Sequence, residues 1–466
     1  MGRIRTRRRT LWSGLSGLVF GTAGGIAGIA LLAGGASGGG RESGDSFITA
    51  AHLPPLLTVP GEPVTLRYAI VCPPPAGDAS SSEPCDAGGD VYIRSGRTGP
   101  FERVALARGA DSAGGRYVAE VPDSVASAPG GFSYYAVLRD RAHGTQVTVP
   151  AGGADAPQQS LPLRSPVRVE LGAHSFGSVL RPDARVVDAP WGDGIARAGL
   201  SGGPTSMRIG PSAFDVSRDG TVTLLDEVNK RVERWRDGSF LGSAALEVPA
   251  AADDLAVAGD GTMYVLDGRS AAGDTPLLRT FAPDGTLLRA RHIAERTGSQ
   301  LRIEARGVVV HNEPSEQWMP ATDGAAPLAR AAQVRGGTPG RVLGDGSQLV
   351  VLRSGIAEIR VARVAGGAIR TSWRVLSATP LGEVQLAEVR GARVVLVVKA
   401  YSDTQDEFDV LVLDGRGLVE RFAVPSDQWA DAAPMAHFRL VGSSLFKLGT
   451  TSAGAFVDRY DLEVGR

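Results

Sequence analysis

Residues 214–238 read FDVSRDGTVTLLDEVNKRVERWRDG, and this stretch decides the fold. Three short apolar runs alternate inward and outward, separated by Asp219-Gly220 and the polar loop 226–230, and closed by Asp237-Gly238. Asp-Gly between alternating runs is the strongest short hairpin signal, because its turn needs positive φ. The stretch is therefore an antiparallel meander. It recurs: residues 260–267 repeat the pattern Asp-Gly-Thr-x-x-x-Leu-Asp set by residues 219–226.

Working outward, turn glycines can be placed at Gly220, Gly261, Gly307, Gly346, Gly391 and Gly442, at spacings of 41, 46, 39, 45 and 51 residues. Each precedes an apolar run. Six such units, each long enough for about four strands, are a propeller signature. The first unit resembles an NHL-type repeat, with Asp226, Asn229 and Arg231 at that family's Asp-x-x-Asn-x-Arg positions; the second keeps the Asp-Gly and Leu-Asp pairs only. The resemblance implies a six-bladed β-propeller, assigned to residues 171–466. A propeller must close its ring. The alternating residues 455–462 and residues 184–188, ahead of the first complete unit, are the expected closing partners, which removes exposed edges.

Residues 47–150 carry half a dozen short runs rich in β-branched and aromatic residues, punctuated by Pro, Gly and Asp. That spacing predicts a β-sandwich. Gly131-Phe132-Ser133-Tyr134-Tyr135-Ala136-Val137-Leu138-Arg139-Asp140 resembles a late strand of an immunoglobulin-like or fibronectin-type domain. The fold class expected is thus all-β, an N-terminal β-sandwich followed by a six-bladed β-propeller. Residues 151–170, small and Pro-interrupted at first, are expected to be a linker. The only cysteines, Cys72 and Cys85, are expected to pair as a disulfide in an exported protein.

Residues 1–40 are set apart from the fold. Five arginines between Arg3 and Arg9 form a basic head, residues 11–33 carry no charge, and residues 34–40 are small. This is an export signal, and Arg8-Arg9-Thr10-Leu11-Trp12 resembles a twin-arginine signal. The apolar run is also long enough to stay as an uncleaved anchor, so cleavage and retention both stand. Either way the body is extracytoplasmic: secreted, or anchored to the membrane by this segment alone. A net charge of −1 removes bulk attraction to nucleic acid or anionic membrane. With 43% hydrophobic and 21% charged residues, the 466-residue chain is globular and suits two or three domains.

In a propeller the loops joining second to third strands share a face with the connections between blades, and the Asp-Gly turns lie opposite. That geometry nominates Glu227, Glu313, Glu316, Gln317, Trp318, Asp403, Asp406 and Glu407 as ligand-binding residues for a protein, peptide or carbohydrate. Solvent-facing hairpins are normally polar too, and Asp226 and Asn229 suit turn formation. Trp191, between tight turns, either covers the channel mouth or plugs a seam between domains. Catalytic patterns are thin. Asparagine occurs only at Asn229 and Asn312, against a gluconolactonase-like metal site, and only His437 sits on an expected first strand, against a histidine-rich zinc site. Gly199-Leu200-Ser201-Gly202-Gly203 matches a nucleophile elbow in letters, without the strand before and helix after. No catalytic residue, metal ligand or cofactor is assigned, although Asp403, Asp406 and Glu407 could offer oxygens to calcium. The function expected is an extracytoplasmic binding or scaffold protein of a bacterial envelope. A metal-dependent propeller hydrolase or lyase is the alternative.

Overall fold

The computed structural model describes residues 49–52, 54–71, 87–109, 116–141, 144–150, 152–203, 206–248, 252–267, 277–293, 300–304, 307–312, 317–321, 340–430 and 437–462. The export segment, Cys72, Cys85, Glu313 and Glu316 lie outside them. The described chain is nearly all β, with a single helical turn at Asp123–Ala126.

Two sheets form the N-terminal body. One runs Thr49–His52, Thr65–Val71, Arg116–Glu120, Ala107–Arg108; the other runs Leu57–Thr58, Gln158–Pro162, Phe132–Asp140, Ala87–Ser95, Glu102–Ala105, with Thr145–Val149 also on Phe132–Asp140. Leu66, Tyr68 and Ile70 of the first meet Val91, Phe132 and Tyr134 of the second in one buried cluster. The residues expected as a linker contribute two strands. Gln158–Pro162 is buried throughout and pairs with Phe132–Asp140, while Val167–Glu170 runs parallel to Trp373–Leu376 on the outside of the fourth array sheet. Reading 151–170 as structureless weighed its glycines and prolines and missed Val167-Arg168-Val169-Glu170, whose alternation fits a sheet edge.

Six sheets follow in chain order. The first holds Ala213–Val216, Val222–Asp226, Arg231–Arg236 and Ser239–Ala245; the second Asp254–Val257, Met263–Asp267, Leu277–Phe281 and Leu287–His292; the third Leu301–Glu304, Gly307–Asn312 and Gln317–Pro320. The fourth holds Arg341–Val342, Gln348–Arg353, Glu358–Ala365 and Ala368–Leu376; the fifth Leu381–Arg390, Arg393–Tyr401, Asp406–Asp414 and Gly417–Pro425; the sixth Phe438–Val441, Ser444–Thr450 and Gly454–Asp461. Each sheet is an antiparallel meander, and each touches the next, with the first strand of sheet one packed on sheet six. Ala184–Pro190 pairs antiparallel with Gly454–Asp461 and closes the ring. This order makes the array a β-propeller.

The turns show why the residues fold this way. All six turn glycines adopt positive φ, from 59° to 114°. In the Asp-Gly-Thr turns the aspartate accepts the backbone N–H two residues on: Asp219 from Thr221 at 3.1 Å, Asp260 from Thr262 at 2.9 Å. That bond pulls both carboxyls below their usual range. Side chains facing a neighbouring sheet are apolar, as with Leu225, Val232, Leu255 and Val265 between sheets one and two.

The N-terminal body is keyed to the fourth sheet. Leu56, Leu57, Leu161 and Leu163 share a cluster with Val350, Ala362 and Val364. Around it Arg360 donates to the Leu57 carbonyl at 3.0 Å and to Glu62 at 2.6 Å, and Arg374 donates to Glu62 at 2.8 Å.

Candidate functional site

The inner strands of all six sheets carry charge. Asp215 comes from the first, Asp254 from the second, Arg302 and Glu304 from the third, Arg341 from the fourth, Glu388 from the fifth and Arg439 from the sixth. The two aspartates bridge sheets through the backbone: Asp215 accepts the Val257 N–H at 2.7 Å, and Asp254 accepts the Leu301 N–H at 2.7 Å. Arg439 closes this side of the ring, donating to Asp254 at 2.5 Å and lying 3.5 Å from Asp215. On the other side Arg341 pairs with Glu304 at 3.1 Å and with Glu388, while Arg302 lies 3.6 Å from Asp254 and 3.7 Å from Glu388.

Three guanidinium groups thus face four carboxylates with little water. Burial lowers the Arg302 pKa to about 10 and raises those of Asp215 and Glu304. Burial also pushes Glu388 up, but Arg341 and Arg302 outweigh it and hold its pKa below the ordinary value. Buried charges this closely paired fix geometry more than they add stability. The network locks blade to blade around the axis.

Sequence reasoning missed these residues, yet a signal was present. Counting back from each turn glycine, all seven fall at odd offsets: five for Asp215, Arg302 and Arg341, seven for Asp254, three for Glu304, Glu388 and Arg439. Strand periodicity puts odd offsets on one face, so charge on one face of six unrelated inner strands marks a ring.

The nominated loop residues have separate surroundings. Glu227 is buried in the first sheet's hairpin, beside Asp226, which accepts the Gly199 N–H at 3.0 Å and the Asn229 side-chain amide at 2.8 Å. Glu407 is buried too. It meets His174 Nε2 at 2.7 Å and accepts the Gly177 N–H at 2.7 Å, while His174 Nδ1 lies 3.2 Å from Asp409. This carboxylate pins the segment leading into the array. Asp406 pairs with Lys399 at 2.5 Å and accepts from Ser426, and Asp403 sits exposed in the turn 402–405. Asp406 and Glu407 are consecutive on a strand and so point to opposite faces. Gln317 lies in the third strand of sheet three. Trp318, beside it, packs on His311 at 5.1 Å and sits 5.5 Å from the Arg302 guanidinium, which ties it to the inner network. Among the described residues no group of three or more His, Cys, Asp or Glu is placed to hold a metal ion.

A second cluster lies where the ring closes. Trp191 donates to the Thr451 carbonyl at 3.0 Å and packs 6.0 Å from Trp429, over which the Arg208 guanidinium lies at 4.3 Å. Trp191 therefore belongs to the seam between the first and last sheets, where its indole also joins the cluster of Val187, Phe214 and Val457. Neighbouring Asp427 adopts a positive φ of 49° and accepts from the fully buried Lys447 at 2.7 Å; Gln428 contacts His437 Nε2 at 2.9 Å. Burial, then Lys447, holds the His437 pKa at about 3. Strained non-glycine backbone at a seam needs a surrounding structure that over-determines it. Ile195 and Met207, on the segment that carries Trp191 and Arg208, are 81% and 70% exposed. Ser201 of the Gly-x-Ser-x-Gly match lies on the same segment, bridged to Ile209.

No protein-family model matches the chain, and no curated protein does. Among solved structures the chain is similar to Kuenenia stuttgartiensis hydrazine synthase (13% identity over 57% of this chain and 90% of that one, TM-score 0.32). It is similar to virginiamycin B lyase from Staphylococcus aureus (10% identity, 53% and 94%, TM-score 0.30). A quinoprotein alcohol dehydrogenase-like protein from Bacteroides thetaiotaomicron aligns with 80% of this chain and 95% of its own at 9% identity and a TM-score of 0.24. Likeness at these scores carries no argument about activity. The propeller rests on the strand order and the closed ring.

Proposed function

We propose that this chain is an extracytoplasmic binding protein of a bacterial envelope: an immunoglobulin-like N-terminal sandwich followed by a six-bladed propeller that holds a protein or peptide ligand at its closure seam. One observation carries this reading. Ile195 and Met207 are left in solvent on the segment that supplies Trp191 and Arg208 to the cluster with Trp429. Exposed large apolar side chains on a segment that also carries an aromatic ring and an arginine have the composition of an interface centre. The ring beneath, fixed by its inner charges, supplies a rigid platform, so little ordering entropy is spent on binding. Arg208 over the Trp429 face disfavours sugar stacking on that ring and favours a peptide bearing a carboxylate. The basic head and uncharged run of residues 1–40 support placement outside the cytoplasm.

The test is a displayed peptide library screened on the full chain and on Met207→Glu and Trp429→Ala variants. Enrichment of peptides with acidic and apolar residues, reduced at least tenfold by either substitution in variants that melt like the parent, is expected. Enrichment that both variants retain would move the site elsewhere, and no enrichment at all would sink the reading.

A further inference from the structure

Residues 171–183 lead from the fourth sheet past the fifth to the closing strand. Backbone bonds fix them at intervals: the Leu171 N–H donates to the Leu376 carbonyl, the Leu180 N–H to the Ala423 carbonyl and the Asp183 N–H to the Arg459 carbonyl. Between the first two bonds, residues 172–179 are exposed except at His174 and Phe176, which are half-buried. Apolar burial therefore does little to hold this strap.

What holds it is a buried cluster of charges. The His174 side chain is 3% exposed and lies between two carboxylates, with Nε2 2.7 Å from Glu407 and Nδ1 3.2 Å from Asp409. Both carboxylates face further donors, as ionised groups do: Glu407 accepts the Gly177 N–H at 2.7 Å, and Asp409 takes the Arg421 guanidinium at 2.9 Å. Arg421 also donates to the Leu171 carbonyl at 2.5 Å, while the His174 N–H donates to the Thr379 hydroxyl at 2.8 Å. Glu407, Asp409 and Arg421 are thus the charged groups that the fifth sheet turns toward the ring. A neutral imidazole has one N–H and one bare lone pair. Either tautomer would set that lone pair against a carboxylate oxygen with no proton between them, and would leave two carboxylates to one guanidinium. The doubly protonated ring donates at both nitrogens and balances the cluster, two charges against two. A buried carboxylate left uncompensated is the costly alternative.

We propose that His174, doubly protonated, is a pH-sensitive latch that seats the strap on the fifth sheet and lets it go when the ring loses a proton. The contribution belongs to the charged ring, so it is present at low pH and lost as pH rises. Losing one proton turns one of the two bonds into a lone-pair repulsion, and residues 172–179 have little else to hold them. The latch is separate from the closure seam, so either can fail without the other.

The experiment has two readouts on the full chain. Nitrogen NMR of histidine-labelled protein, with the His174 signals assigned by their absence in His174→Gln, should show both ring nitrogens protonated at about pH 6. Hydrogen exchange, corrected for intrinsic rates, should show the protection of residues 171–180 falling about tenfold between about pH 6 and about pH 9, while the fifth sheet keeps its own. In His174→Gln the strap should exchange fast at both pH values. A bare nitrogen on the His174 ring at the lower pH overturns the proposal, and so does the same fall with pH in His174→Gln. Should that variant fail to fold, the parent alone decides, because strap protection unchanged at the higher pH also overturns it.

Discussion

The inner strands and the connecting loops of the propeller hold the same kinds of charge and use them differently. On the inner strands, Asp254, Arg439, Arg341 and Glu388 come from four sheets and meet within hydrogen-bond reach. At the hairpins between second and third strands, Glu227 and Asp403 belong to different sheets, and Glu407, at the start of its strand, is spent on the segment that enters the array. Glu407 turns inward to His174, and Asp403 stays in solvent. A strand lends its residues to the neighbours on both sides, so a charge there is shared around the ring. A hairpin tip has only itself and whatever crosses it. Polarity in a loop is therefore weak evidence of a site, and charge on an inner strand is evidence of a network.

The sharpest way to break the contrast is Arg439→Met. It leaves Asp254, fully buried, without its closest cation. Breaking a buried pair from one side costs about 3–5 kcal/mol, to be read from urea unfolding of the full chain. A loss below about 1 kcal/mol would show that the network is not shared as described.

A pH experiment comes next. Glu233, buried on Arg231–Arg236, has its pKa raised to about 7, first by burial and further by Asp226, against the pull of Arg231 at 2.9 Å. Its folded pKa lies above the ordinary 4.5. Its contribution is therefore fully present below about 4.5 and is lost as pH rises through about 7. His52 and His437, lowered to about 4 and about 3 by burial, act with the opposite sign: their contribution is present above 6.5 and lost on acidification. Subtracting the stability profile of Glu233→Gln from that of the parent isolates the carboxylate. The difference should fall by up to about 3 kcal/mol between pH 5 and 7.5, and a flat difference would contradict the raised pKa.

Glu407→Gln tests the loop side of the comparison. It removes the charge facing His174 and weakens the bond from Gly177, for a cost of about 1–3 kcal/mol. Ligand capture at the closure seam should be unchanged. Lost capture with intact stability would return Glu407 to the role its position first suggested.

How far all this could be read from the chain depended on what each residue answers to. Gly220 and Gly261 answer to a local rule, positive φ after aspartate, and the repeat could be followed from them. Residues 455–462 and 184–188 alternate with period two, and the structure pairs Gly454–Asp461 with Ala184–Pro190. Glu407 answers to His174, more than two hundred residues away. Nothing local distinguishes such a carboxylate from a solvated one. Trp191 was conspicuous, but its partners Trp429 and Arg208 come from segments with no pattern of their own. The inner charges lay between these cases, since their offsets were legible once the turn glycines were known.

The smallest effect is expected on the turn face. Arg236 and Asp219 form an ion pair there, with side chains 45% and 56% exposed. Water screens such a pair, and holding two long side chains costs entropy, so Arg236→Ala should change stability by less than about 0.5 kcal/mol. Asp219→Ala should cost more, about 1 kcal/mol, because Asp219 also accepts the Thr221 N–H that closes the Asp-Gly turn. Both substitutions remove the ion pair; Arg236→Ala also removes its exposed bonds to the Thr221 hydroxyl, and only Asp219→Ala removes the backbone bond that closes the turn. Equal losses in thermal unfolding would mean that the charge pair holds the turn. Unequal losses would mean that the hairpins on this face are held by the backbone rule that made them legible.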